Sequence, residues 1–381
     1  MRKVTKSEIV IVGGGITGLI TAYFLAKSGE SNIVVLEKNY LGSGSTFRCA
    51  TGIRASFTTE EHIILQRESI KLWKELSDEL GFFYRRDGYV WLFSDEKHLE
   101  AFSNFSKLHN KYGVPTRIVT PEEIKELVYG INVESLVGGL YDPLAGKADP
   151  FSTIYSLAEA CREMNVKIQT GVYVSKIIVE DNEVKGVDTS KGRIDADTVF
   201  IAAGYGSKEL LKTAGVDVPL ENVPHHALIT EKFKQTFKPL VIDWATSTYI
   251  VQTRAGGFLM GSEMEEHGYI SLEPRIDFIP KAVKAAVKLF PWMKEINVLR
   301  YWTGYYVMSP DRHPILGPIY GIQGLYAAMG FSGHGFMMGP IVGKVMSEWI
   351  LKSKPSIPQA ERLTIKRVWE GKLIHEKAVF G

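Results

Sequence analysis

The chain has 381 residues and a mass of 42.6 kDa, room for two or three domains of about 150 residues or one elaborate domain. Hydrophobic residues at 45% and charged residues at 23% exclude the disordered, collagen-like and disulfide-scaffold classes. Lys and Arg (45) balance Asp and Glu (43) to a net charge of +2, which leaves no basic footprint for nucleic acid.

Arg2, Lys3 and Lys6 precede an uncharged stretch over 9–26. Secretory signals, short membrane spans and a buried strand–turn–helix all share that pattern. Gly13, Gly14, Gly15 and Gly18 at fixed spacing, and the helix-like stop at Lys27-Ser28-Gly29, favour the strand–turn–helix. No other stretch approaches a bilayer span, so a soluble protein without an integral membrane segment is expected. Residues 8–12 are then a strand, 16–27 a helix and 32–36 a second strand ending at Glu37, a βαβ unit. Gly42 to Thr51 is a small, polar loop. Helical periodicity runs over 58–80, a strand over 88–93 and a helix over 99–112. Thr120 opens a helix with Pro121 at its first position. A helix over 151–164 and a strand pair over 167–179 follow, then a buried strand over 198–202 ending at Gly204. Residues 223–306 read as strands rich in Tyr, Trp, Val and Ile, with one helix near 281–290. A short strand over 325–328 enters Gly330-Phe331-Ser332-Gly333-His334-Gly335 and a helix to Leu351. The charged remainder from Lys352 reads as an extension. Only Cys49 and Cys161 are present. They build neither a disulfide framework nor a zinc site; no metal is expected, and the cytoplasm is the default compartment.

Gly13-Gly14-Gly15-Ile16-Thr17-Gly18 fits G-x-G-x-x-G. Gly13 permits the tight turn, Gly15 lets the backbone approach a pyrophosphate, and Gly18 lets the helix pack on the strand. The helix N-terminus at Ile16 and Thr17 supplies amide donors to an anion. Glu37, closing the second strand, suits the ribose hydroxyls of an adenosine. Nucleotide-type segments recur at the start, middle and end, which predicts interleaved domains. Residues 1–80, 145–220 and 308–381 would form the cofactor-binding domain, and 81–144 and 221–307 the substrate domain. The fold class expected is α/β: a Rossmann-like domain interleaved with an α+β domain carrying a large mixed or antiparallel sheet.

NAD and FAD share this fingerprint. Glu37-Lys38 followed by Gly42-Ser43-Gly44-Ser45-Thr46, the strand end Ala202-Ala203-Gly204, the run from Ser309 to Gly317, and Gly330 to Phe336 together resemble the D-amino-acid oxidase and sarcosine oxidase superfamily. The resemblance covers about 8–351 and implies FAD. It implies flavin contacts at Glu37, Lys38, Ser43, Ser45, Thr46, Arg48, Cys49, Val174, Ala203, Gly204, Gly330, Phe331, Ser332, Gly333, His334, Gly335 and Met337. Gly44 to Cys49, Gly146 to Pro150 and Trp302 to Tyr306 are similar to the β subunit of archaeal dye-linked L-proline dehydrogenase complexes. That similarity implies a different partner subunit and an FMN near the interface.

The same resemblance implies site roles. Arg54 falls where the family binds the substrate carboxylate, and a planar guanidinium suits that ligand. The family's second cation is replaced by Met337. Tyr306 falls where sarcosine oxidases carry Tyr. Tyr249 and Glu263 fall at strand ends that line the substrate cavity. His225 and His226 read as structural. Gly304 stands where relatives tether FAD through Cys, and Ala148 where relatives tether FMN through His, so noncovalent flavins are expected. Lys147 either pairs with an FMN phosphate or is an exposed loop lysine. Leu259 stands near the place of an oxygen-assisting Lys, which implies slow reaction with oxygen.

These implications combine into an FAD-dependent imino-acid dehydrogenase. Its expected reaction takes L-proline to Δ1-pyrroline-5-carboxylate, with hydride leaving the α-carbon for flavin N5 and electrons passing to a partner subunit or dye. Alternatives are a sarcosine, dimethylglycine or hydroxyproline enzyme of the same architecture, an electron-transfer flavoprotein subunit, or an NAD-dependent dehydrogenase.

Overall fold

The computed structural model of the chain describes residues 5–264 and 271–378. The β-branched run Thr5–Val12 forms the central strand of an eight-stranded sheet. It pairs in parallel with Ile33–Glu37 on one side and Gly192–Ile201 on the other. Continuous apolar burial over 9–12, 33–36 and 199–201 is what a sheet covered on both faces requires. Lys167–Thr170 closes one edge, beside Ile33–Glu37. Gly192–Ile201 is shared on its outer edge: its first half pairs with Glu183–Thr189, its second half with Leu325–Met329. Val174–Glu180 lies outside Glu183–Thr189, and Ile315–Pro318 pairs with Leu325–Met329.

The strand pair expected over 167–179 is thus two strands at opposite edges of the sheet. The buried strand expected over 198–202 is the second half of Gly192–Ile201; its first half and its hairpin partner Glu183–Thr189 are polar and alternating, a weak local signal.

A second eight-stranded sheet runs in the order Val298–Met308, Glu221–Lys232, Gly257–Ser262, Thr248–Gln252, Leu240–Asp243, Tyr89–Phe93, Gly138–Asp142, Arg117–Val119. Its pairs are antiparallel except for the parallel contact of Leu240–Asp243 with Tyr89–Phe93. The architecture is the mixed α/β class expected. A small sheet of Gly52–Ile53, Gly146–Ala148 and Tyr84–Arg85 completes the strands.

Two helices matter for the site. Ile16–Lys27 and Gly335–Lys352 pack side by side. Glycines permit that approach: a Cβ at Gly339 would fall 2.5 Å from Ile16 Cγ1, and one at Gly343 2.6 Å from Ile20 Cγ2. Glu60–Leu80 packs against Gly335–Lys352, and Ser69 Oγ and Trp73 Nε1 both donate to the Met337 carbonyl, at 2.7 and 2.9 Å. Thr120 caps Pro121–Leu127 with a reciprocal Glu123 contact, the capping box that Thr-Pro-Glu-Glu encodes. The charged remainder is not an extension. It forms two short helices, Pro358–Glu361 and Ile365–Trp369, then turns back into the protein. Among the described residues no helix is long and apolar enough to cross a membrane.

Candidate active site

A cavity of about 690 Å³ runs from the glycine turn at Gly13 to the inner face of the second sheet. At its first end the backbone is dictated by sterics. Gly13 has φ +116°, and a Cβ there would meet the Ala202 carbonyl oxygen at 2.3 Å. A Cβ at Gly18 would meet the Gly13 oxygen at 2.0 Å, so Gly18 serves the packing of helix on turn and does not line the cavity. Glu37 is buried at the strand end. Its carboxylate accepts from the Gly14 amide (2.9 Å) and the Asn39 amide (2.8 Å), which fixes it beside the turn. Thr46 Oγ1 accepts the Ile16 amide at 3.2 Å. Lys38 donates to the Tyr205 hydroxyl at 2.8 Å.

The loop after Glu37 is tied across the cavity to the strand Val298–Met308. Ser45 Oγ donates to the Tyr305 carbonyl at 2.9 Å, and Trp302 Nε1 to the Arg48 carbonyl at 3.2 Å. Arg48 donates to the carbonyls of Ser43 and Gly44. A Cβ at Gly304 would lie 2.9 Å from Arg48 Cβ, so this position is filled from across the cavity. Burial pushes the Cys49 thiol up to about 12, which leaves it protonated and unreactive at neutral pH.

At the second end, the helix Gly335–Lys352 opens onto the cavity through Gly330, Phe331, Gly333, His334, Gly335 and Met337. Tyr306 packs against Gly333, where a Cβ would fall 2.4 Å from its ring. The ring of His225 lies 3.8 Å from that of Tyr306, centre to centre. Tyr249 fills the space over Gly261. Burial raises the hydroxyl pKa values of Tyr249 and Tyr306, so both stay protonated.

Arg54 lines the cavity and is 3% exposed. Its guanidinium lies 3.7 Å from the centre of the Phe57 ring. Nη1 donates to the Ser56 carbonyl and Nη2 to the Ala378 carbonyl, each at 2.6 Å. Burial pulls its pKa down to about 10, opposed by Tyr89 and Glu376, and it remains cationic at neutral pH. Among the described residues no carboxylate forms an ion pair with it.

Most residues expected at the site line this cavity, including Gly15, Ile16, Thr17, Ser43, Ser45, Val174, Ala203, Gly204 and Phe331. Three do not. Ser332 is buried behind the loop, accepting the Ser309 amide at 3.2 Å. Glu263 is exposed, and its backbone carbonyl rather than its carboxylate is engaged, by Lys281. Lys147 is neither a phosphate anchor nor an exposed loop residue. It lies in the strand Gly146–Ala148 with its side chain 4% exposed, 3.2 Å from Asp87, and donates to the carbonyls of Lys238 and Gln252. Burial lowers its pKa and Asp87 opposes that shift. Conversely, His225 and His226, expected to be structural, line the cavity. His226 keeps a structural contact as well, Nδ1 lying 2.7 Å from Thr303 Oγ1. Two adjacent histidines on one strand carry no local mark of which face is the cavity.

Sequence reasoning also missed a buried cluster behind His334. His62, His313 and Glu376 bring one potential ligand atom each within 4.8 Å of the others. The two imidazoles are stacked, 4.0 Å apart at 28°, so their in-plane lone pairs run side by side instead of converging. The Glu376 oxygens already accept from Thr58 and Thr59. Glu376 is thus already engaged by hydroxyls, with His62 Nδ1 3.5 Å from it.

A dinucleotide fits what is present. One end offers a glycine turn open to a helix N-terminus and a fixed carboxylate. The other offers a second helix N-terminus capped by His334, whose buried ring nitrogens have no protein partner. Burial holds His334 well below its ordinary pKa, so it is neutral and has one donor and one acceptor to offer.

The chain belongs to the DAO family of FAD-dependent oxidoreductases, which its sequence matches over residues 8–349. Sarcosine oxidase subunit beta of Arthrobacter sp is 31% identical over 97% of this chain and 93% of that protein. Dimethylglycine dehydrogenase of Rattus norvegicus is 30% identical over 92% of this chain, which spans 43% of that longer protein. Among solved structures, L-proline dehydrogenase from P. horikoshii superposes with a TM-score of 0.94 at 38% identity, over 98% of this chain and 100% of that one.

Proposed function

We propose that this FAD-dependent oxidoreductase is an imino-acid dehydrogenase and that L-proline is its substrate. The observation that carries the reading is Arg54: a buried cation on the cavity wall with neutral carbonyl partners and no protein carboxylate among the described residues. Such a charge is costly to bury and calls for an anion, and a substrate carboxylate supplies one in bidentate geometry. The similarity to L-proline dehydrogenase supports a cyclic secondary amine.

Bound FAD supplies the hydride acceptor. The protein's part is positioning and desolvation. Arg54 holds the carboxylate, while Tyr306, His225 and Tyr249 wall the remainder of the substrate. A site drained of water favours the neutral amine, whose lone pair supports the developing C=N bond. Loss of hydride then leaves a protonated imine directly, so no separate base is required. The product fixes which carbon reacts. Δ1-Pyrroline-5-carboxylate has its C=N bond on the side of the nitrogen away from the carboxylate-bearing carbon, so the hydride leaves C5 of proline; loss from the α-carbon, the first expectation, would give the 2-carboxylate isomer.

Glycine-derived secondary amines form the second reading, favoured by the 31% identity to a sarcosine oxidase subunit. A panel of L-proline, hydroxyproline, sarcosine and dimethylglycine with an artificial dye separates the two. The proline reading requires the highest kcat/KM with L-proline; a higher value with sarcosine overturns it. We further propose that the chain works in the cytoplasm as one subunit beside a different chain, as a relative named subunit beta does, with FMN at their contact as the next electron carrier. Lys147 is not that carrier's anchor.

A further inference from the structure

The turn Ser309-Pro310-Asp311 and the segment following Trp369 have no part in the reading above, yet they meet. Buried Asp311 receives Arg367 Nε at 2.8 Å and Nη2 at 2.9 Å. The same carboxylate accepts the Ile374 amide at 3.1 Å, and the Asp311 carbonyl accepts the Glu376 amide at 3.1 Å. The chain is thereby turned back towards the cavity.

Glu376 then locks it. Its carboxylate, on a residue 1% exposed, accepts the Thr58 amide at 2.9 Å, the Thr58 hydroxyl at 2.6 Å and the Thr59 hydroxyl at 2.8 Å. It also accepts the amides of Lys377 and Ala378, at 3.1 and 2.9 Å. This loop places the Ala378 carbonyl on Arg54 Nη2 at 2.6 Å. Thr58 and Thr59 follow Arg54 by four and five positions, so one carboxylate ties the segment to the same stretch that carries the guanidinium. The segment lies beyond residue 349, where the match to the family ends.

We propose that Glu376 is a positioning residue for Arg54, and that residues 376–378 hold its guanidinium from behind, outside the cavity lining. The inference rests on Arg54 being the carboxylate anchor. A guanidinium has five coplanar N–H donors. Carbonyls of Ser56 and Ala378 engage two of them from behind, and the Phe57 ring covers one face. The plane is thus held in one orientation. Neutral carbonyls do this at hydrogen-bond range, while Glu376 and Asp142 act on the charge only from beyond ion-pair distance; a carboxylate at position 378 would have competed with the substrate. Orientation fixed before binding is not lost as entropy on binding.

The test uses the full holoprotein and L-tetrahydrofuran-2-carboxylate, a proline isostere without an oxidisable amine, titrated against the flavin absorbance. The neutral 2-carboxamide is the control. Two variants are compared: Glu376→Gln, and a chain ending at Trp369, which removes the whole segment without ending on a carboxylate beside the guanidinium. The carboxylate Kd should rise about tenfold in each, with the carboxamide Kd within about twofold and flavin content unchanged. If the shortened chain does not retain flavin, Glu376→Gln alone decides. Unchanged or tighter carboxylate binding, or an equal loss for both ligands, overturns the role of Glu376. Absence of carboxylate binding to the unaltered protein overturns the reading of Arg54 and this inference with it.

Discussion

Arg54 Nη2 donates to the carbonyl oxygen of Ala378 at 2.6 Å across 324 positions of sequence. The contact leaves a buried cation oriented but not neutralised, and the proposed chemistry depends on that distinction. A cation paired with a protein carboxylate would have to surrender it before a substrate could bind.

In the proposed role of Arg54, Arg54→Ala removes the charged hydrogen-bonding partner of the substrate. Such a partner contributes about 1.5–3 kcal/mol, so kcat/KM for L-proline should fall about 10- to 150-fold. Flavin content should stay at the level of the unaltered protein, because Arg54 lies apart from the glycine turn and Glu37. Kinetics indistinguishable from the unaltered protein would place the anchor elsewhere.

FAD should be held without a covalent bond. The resemblance puts Gly304 at the place of the family's Cys tether, and Arg48 closes the space a side chain would need there. Acid precipitation should leave all the flavin in the supernatant as FAD. Flavin retained in the washed pellet contradicts this.

Electrons should leave for a dye far faster than for oxygen. Leu259, which the resemblance puts near the place of an oxygen-assisting Lys, does not line the cavity and is buried in an apolar cluster with Tyr249 and Ile242. It offers no charge to stabilise developing superoxide. Initial rates of dye reduction and peroxide formation, measured with the same substrate, should differ widely; similar rates would defeat the argument.

Stability should decline as pH falls below about 6.5, the value near which an unfolded histidine titrates. Burial holds the His313 ring down to about 2 and His334 well below its ordinary value. Between those values the unfolded chain binds protons that the folded chain refuses, so acid favours unfolding. Above about 6.5 both states are neutral and the effect vanishes. Asp311 acts with the same sign in stronger acid. Burial pushes its carboxyl up, the Arg367 pair overrides this, and the result is a value of about 2. Its contribution is complete above about 3.9 and is lost as pH falls towards the folded value. Urea midpoints of the holoprotein should drop from pH 7 to pH 5, and His313→Asn should reduce the slope. A flat profile over that interval would refute the assignment of buried neutral histidines.

Native protein should co-purify with a different chain and carry FMN in addition to FAD. In the proposed reading, an FAD that reacts slowly with oxygen would need another exit for its electrons. Recovery of a homo-oligomer with FAD alone and full dye-linked activity would refute the partner as a requirement for catalysis.

The glycine turn, Glu37, the helix Ile16–Lys27 and the loop Gly330 to Gly335 were legible in the sequence by itself. Each is a local pattern in which spacing and backbone conformation carry the chemistry: Gly13 is required by its own φ and by a carbonyl 2.3 Å from any Cβ. The resemblance then named Arg54 and Tyr306, and the cavity contains both. Tertiary structure decided the rest. Lys147 pairs with Asp87 and Glu263 turns outward because strand neighbours, not sequence neighbours, set their surroundings. His225 and His226 reach the cavity through the pairing of Glu221–Lys232 with Val298–Met308. The segment after Lys352 reads as a charged extension because its partners, Asp311, Thr58, Thr59 and Arg54, lie tens to hundreds of residues away. Burying Glu376 is favourable only when several donors arrive together, and only the folded chain assembles them.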